Sequence, residues 1–205
     1  EIYTLSLHDA LPIYKNYFAI SFDLNDLNNI KNILDDIIFN HKKIDAIISS
    51  AGYGVFENLE NLKEKEVIDF FNVNLLAHIL ISKSLVSHFK KKKTGYFIFM
   101  GSEASLKGNQ KSTLYATAKH GLLGFVKSFR EECNKSNIRV TIINPGMVNS
   151  SFFKKLKFSP GKSVKNSIKL ADIAELVFFI LKSNRNINYN DIYLKIGRAS
   201  CRERV

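Results

Sequence analysis

Tyr115 and Lys119 stand four apart at the start of the stretch 115–134, whose apolar positions repeat with a helical period. Four residues advance a helix by little more than a turn, so phenol and ammonium share one face. An ammonium beside a phenol favours the phenolate, and the spacing predicts a tyrosine pKa drawn from about 10 toward neutrality. A phenol of that kind is suited to giving and taking protons. Alone, the pair is common on surface helices, and its neighbours give it meaning. Ser102 lies thirteen positions upstream, just after the apolar run 96–100. Asn144, Pro145 and Gly146 follow the run 138–143, and Ser50, Ala51 and Gly52 follow the run 44–48. If those runs are parallel strands, the loops open at one end of one sheet, where such sheets present reactive side chains.

The elements needed for this are legible. Short β-rich apolar runs alternate with longer helical periods, which predicts an α/β domain built on a parallel sheet. Strands are expected at 17–22, 44–48, 96–100, 138–143 and 191–195. Helices are expected at 27–39, 61–71, 75–89, 115–134 and 170–181, with a break between the second and third near Asn72 to Asn74. Lys90 to Lys93 suit the negative end of a helix dipole, and Gly95 suits the residue just past it.

Composition bounds the class. The 205 residues are 45% hydrophobic and 24% charged, enough for one core and too few for two full-sized domains. No stretch of eighteen uncharged apolar residues occurs, so no membrane-spanning helix is expected. Two cysteines, Cys133 and Cys201, make neither a disulfide framework nor a zinc spacing, which fits a reducing, cytoplasmic setting. The histidines lack ligand spacing, and no metal is expected. The net charge of +11 raises nucleic acid as a partner, but Lys, Asn, Ile, Phe and Tyr, all with A/T-rich codons, are over-used together. The lysine run is read as a solvated helix end, with no nucleic-acid role.

The ends read differently from the middle. Written as one choice of codons, Thr4 to Ile13 has a complementary strand that, shifted by one base, encodes Ile196 to Val205. The element resembles a sequencing adapter and extends back to Glu1. Residues 1–13 and 196–205 are therefore expected to be adapter-derived, with 14–195 a partial native domain.

Taken together, the motifs resemble the short-chain dehydrogenase/reductase family over nearly all of 14–195. Asp45 to Gly52 resembles its Asp-x-x-x-Asn-Asn-Ala-Gly segment, with Ser49 and Ser50 replacing both asparagines. Asn74 falls where the family has its active-site asparagine, and Ser102, Tyr115 and Lys119 fall on its serine and Tyr-x-x-x-Lys. Asp23 and Leu24 resemble the Asp-Val pair that touches adenine. Pro145, Gly146, Val148 and Ser150 resemble the Pro-Gly-x-Val-x-Thr segment beside the nicotinamide, Ser150 keeping the hydroxyl.

The resemblance implies a Rossmann-like doubly wound sheet and hydride transfer between NAD or NADP and a small carbonyl or secondary alcohol. Ser102 would polarise the substrate oxygen and Tyr115 would protonate it. Lys119 would hold the Tyr115 pKa down and grip the nicotinamide ribose, and Asn74 would position a water that relays protons. Ser49 to Gly52 would line the cofactor. The family's opening glycine-rich turn is not found, which implies that the first βαβ unit is missing, that strand 44–48 has a bare edge and strand 17–22 no partner, and that the chain as written is unstable and inactive. Phe152, Phe153, Leu156 and Phe158 fall where relatives carry a substrate-covering segment, and could equally be ordinary packing. Helices 75–89 and 122–129 resemble those through which relatives form homodimers and homotetramers. The rival is a regulatory protein that binds NAD(P) and performs no catalysis.

Overall fold

The computed structural model describes residues 20–41, 43–154, 156–160 and 166–196. Its centre is a parallel sheet of Ala46–Ser49 (β1), Gly95–Met100 (β2), Ile138–Pro145 (β3) and, beyond a separate two-stranded pair made by Val148–Asn149 (β4) and Ile168–Lys169 (β5), Asp191–Leu194 (β6). The order across the sheet is β1-β2-β3-β6. β2 and β3 are buried on both faces, as their unbroken apolar runs require in a parallel sheet.

Residue alternation sorts the two faces. Phe97, Phe99, Val140 and Ile142 turn one way and meet Leu85 and Phe89 of helix α3 (Ala77–Lys92) and Leu122, Val126 and Phe129 of helix α4 (Thr113–Cys133). Helix α1 (Ile30–Asn40) adds Leu34 and Ile38 at the margin of this layer. Tyr96, Ile98 and Ile143 turn the other way, against Ile180, Leu176 and Val177 of helix α5 (Leu170–Lys182). The rings of Phe89 and Phe129 pack edge-on against Phe97 at 5.1 and 5.0 Å. Each such buried side chain contributes about 2 to 3 kcal/mol of apolar transfer. Arg130 of α4 laces the far edge together, donating to the carbonyls of Val140 and Asn190 and pairing with Asp191 at 2.7 Å. The α/β, doubly wound architecture is the one expected.

Some local expectations change. The left-handed residue that ends α3 is Lys93, at φ 54°, and Gly95 instead opens β2. Gly95 is required there because any Cβ would collide with the Phe89 ring. Of the strand expected at 17–22, residues 17–19 lie outside the described residues and 20–22 form no strand. Among the described residues β1 has a strand neighbour only in β2, and Ile48 is 42% exposed. An extended segment becomes a strand only when a ladder partner accepts its backbone bonds. The helical run from Glu64 to Lys92 is long and apolar enough to cross a membrane by length and composition, which the search for uncharged stretches missed. Its Phe70, Val73, Ala77, Leu85 and Phe89 are buried in the core.

Candidate active site

Three loops at the carboxyl ends of β1, β2 and β3 carry the site. After β2 comes Gly101, then Ser102, which caps a single tight turn, Glu103–Ser105, its Oγ accepting from the Ala104 N–H at 3.1 Å. Asn144, near the end of β3, aims its Oδ1 at this loop and accepts from the Ser102 N–H and the Ser105 hydroxyl, each at 3.2 Å. That amide oxygen occupies the space a Cβ on residue 101 would need, so the position must be glycine. Sequence reasoning placed Asn144 in the loop without giving it a role.

The loop after β1 is held from a helix. Between α2 (Glu64–Phe71) and α3 the chain makes one wide π turn, Asn72–Leu76, where the break was expected. The Asn74 side chain, fully buried, then donates to the Phe70 carbonyl at 3.0 Å and accepts from the Tyr53 N–H at 3.2 Å. Both polar atoms are thus engaged within the protein, leaving one N–H and one lone pair for a water. Gly52 sits at φ +153°, where a Cβ would fall 2.7 Å from Asn74 Oδ1 and 4.0 Å from Lys119 Nζ. Only glycine fits that backbone and that approach. Asn74, Gly52 and Lys119 are therefore brought together. So is His78, one of the histidines without ligand spacing; its place one turn after Asn74 on the same helical face was the available signal.

Tyr115 and Lys119 share a face of α4 as expected, with Nζ 5.8 Å from the phenol ring centroid. The electrostatic expectation is overturned. Burial pushes the Tyr115 pKa above its usual value, a hydrogen bond with the Ser102 side chain pulls the other way, and Glu103 pushes it up further. Burial brings the Lys119 ammonium down to about 8. Both groups lose water at once, and that loss is the main cause of each shift. Lys119 Nζ donates to the Met100 carbonyl at 3.1 Å.

Aromatic rings wall the phenol. Phe56 and Phe152 lie 5.1 and 5.7 Å from the Tyr115 ring, Phe158 lies 4.8 Å from Phe56, and Phe153 contacts both Phe152 and Phe158. Phe56 was not anticipated. Gly54 lets the wall close, since a Cβ there would meet Phe152 and Phe56 at 2.7 Å. The segment 151–158 opens with one short turn, Ser151–Phe153, capped by Ser150. Pro145 ends β3, Gly146 donates to the Leu194 carbonyl at 2.8 Å, and Val148 begins β4. Asp23 and Leu24 lie in the turn before α1, where the Asp23 carboxylate accepts from the Asn25 N–H at 2.9 Å and its carbonyl accepts from the Asp26 N–H at 3.0 Å. The buried Cys133 thiol is pushed up to about 11, mainly by burial. Among the described residues no group of three or more His, Cys, Asp or Glu could hold a metal.

The model of the family described as short chain dehydrogenase matches residues 6–159. The chain belongs to that family. Short chain dehydrogenases are NAD(P)-dependent oxidoreductases, and curated members are similar to this chain along most of its length. The 3-oxoacyl-(acyl-carrier-protein) reductase of Buchnera aphidicola from Acyrthosiphon pisum is 29% identical over 171 residues, covering 80% of this chain and 70% of that protein. Carbonyl reductase family member 4 of Xenopus laevis is 28% identical over 173 residues, covering 82% and 72%. Among solved short chain dehydrogenase folds, an alcohol dehydrogenase of Thermococcus sibiricus, complexed with 5-hydroxy-NADP, superposes with a TM-score of 0.76 at 24% identity, covering 86% of this chain and 73% of that one.

Proposed function

We propose that this protein transfers hydride between NAD or NADP and a small, uncharged carbonyl or secondary alcohol, with Tyr115 as the proton donor and acceptor. The observation that carries this is the Tyr115 phenol, bonded to the Ser102 side chain, walled by Phe56 and Phe152, with the Lys119 ammonium behind it. When bound, the nicotinamide would supply the hydride in the reduction direction. Ser102 hydrogen-bonds the carbonyl oxygen, and the Tyr115 O–H bond breaks as its proton passes to that oxygen. A phenol whose pKa is raised by burial stays protonated at neutral pH, which suits reduction better than oxidation. The aromatic wall favours substrates without charge near the carbonyl.

The donor set fits a nicotinamide dinucleotide. Lys119 is buried and, among the described residues, is paired with no carboxylate, and beside it Gly52 leaves no side chain between backbone and ligand. Ser49, Ser50, Ala51 and Gly52 would line the cofactor, Lys119 and Tyr115 would hold its ribose, and Pro145, Gly146, Val148 and Ser150 would flank the nicotinamide. Asp23 and Leu24 would meet the adenine. The open face of α4, where nothing lies within 4 Å of Gly124, supports pairing of copies through α3 and α4. The test is NADPH oxidation by the full-length protein against a panel of ketones and aldehydes. Tyr115→Phe should cost about 10² or more in turnover. Loss of no activity, or no NADPH consumption by the parent on any substrate, would sink the reading.

A further inference from the structure

His78 is buried, 1% exposed, and the proposed chemistry makes no use of it. Its Nε2 faces the Ala51 carbonyl at 3.0 Å. A carbonyl can only accept, so Nε2 carries the proton and Nδ1 is a lone pair. The Ser49 hydroxyl, 2.6 Å away, donates to that lone pair. The ring is thereby locked in one neutral tautomer, and burial, then the nearby Lys119 ammonium, brings its pKa down to about 3. One turn earlier Asn74 accepts from the Tyr53 N–H. A single helical face therefore grips residues 49, 51 and 53, and the side of Gly52 that a Cβ would occupy faces Asn74 Oδ1 and Lys119 Nζ.

Ser49 stands where the resembling family has an asparagine, and its shorter side chain reaches less far. The His78 ring meets the Ser49 hydroxyl and the Ala51 carbonyl, offering one acceptor and one donor, as an amide would. We propose that His78 is a positioning residue which, through Ser49, sets the Ala51–Gly52 backbone against Lys119 and so shapes the floor on which the dinucleotide rests. The inference rests on the reading of residues 49–52 as cofactor-lining.

Three variants of the full-length protein test it: His78→Phe, which keeps a ring and removes both bonds; His78→Gln, which keeps a donor and an acceptor; and Ser49→Ala. Two readouts are used, NADPH affinity with its kcat and KM, and hydrogen exchange at the Tyr53 amide, which needs no cofactor. His78→Phe should weaken NADPH binding about tenfold, raise its KM likewise, change kcat by less than about threefold, and speed Tyr53 exchange about tenfold. His78→Gln should return within about threefold of the parent, and Ser49→Ala should fall between the two. If His78→Phe fails to fold, Ser49→Ala against His78→Gln carries the same contrast. Unchanged affinity and exchange in the folded variants would overturn the proposal. A joint fall of kcat, affinity and Tm that glutamine does not rescue would overturn it too, leaving ordinary core packing. Should the parent bind no NADPH, the functional reading fails, and Tyr53 exchange still decides whether His78 holds the loop.

Discussion

The loops after β1 and β2 are each pinned by one buried asparagine amide pressed against a glycine, yet the two amides are spent differently. Asn74 uses both ends, bridging the Phe70 carbonyl and the Tyr53 N–H across the π turn. Asn144 uses its oxygen twice, on Ser102 and Ser105, while its Nδ2, although buried, has no partner among the described residues. The loop after β1 is thus held by a satisfied bridge. The loop carrying Ser102 is held by an acceptor whose own donor is stranded. A fully bonded pin stabilises on both sides, whereas a stranded donor gives back part of what its oxygen gains.

The contrast can be broken or sharpened by measurement. The largest effect is chemical and confined to the second loop's partner: Tyr115→Phe should cost about 10² or more in turnover while NADPH affinity falls by no more than about tenfold, the loss of one hydrogen bond, read by steady-state kinetics and fluorescence titration. Next, Gly101→Ala drives a Cβ into Asn144 and should destabilise by about 3 kcal/mol in urea unfolding, with loss of activity. Third comes acid sensitivity at the first loop. His78 has its folded pKa at about 3 against 6.5 unfolded, so the unfolded chain takes up a proton that the folded one refuses. Its contribution is complete above about pH 6.5 and is lost as pH falls toward 3, by about 1.4 kcal/mol per unit. Folded His78→Gln should show a shallower stability decline than the parent between about pH 6.5 and pH 5. The smallest difference tests the pins directly: Asn74→Ala should cost about 1 kcal/mol more than Asn144→Ala, since the latter also removes a stranded donor. Equal losses would mean that Asn144 Nδ2 is satisfied in solution.

Much of this site could be read before folding. The Tyr115 and Lys119 pair, Ser102 after a strand, and Asn74 at a helix break all lie where spacing put them, because helical and strand periods are local properties. Phe56 was missed because its partners, Tyr115 and Phe158, are distant in sequence, and no period links them. His78 was missed because the hydroxyl and carbonyl it serves, at the end of β1 and in the loop after it, lie 29 and 27 residues earlier.

The sequence by itself determined the order of the main-sheet strands β1, β2, β3 and β6 and of the helices between them, the family, and which side chains share a helix face, since each follows from residue types at short separations. Only the tertiary structure decided the ionisation of Tyr115 and Lys119. Their spacing argues for a lowered phenol pKa, but how much water each group loses depends on Phe56, Phe152 and β2 closing around them, and burial is the largest cause of the shift at each group.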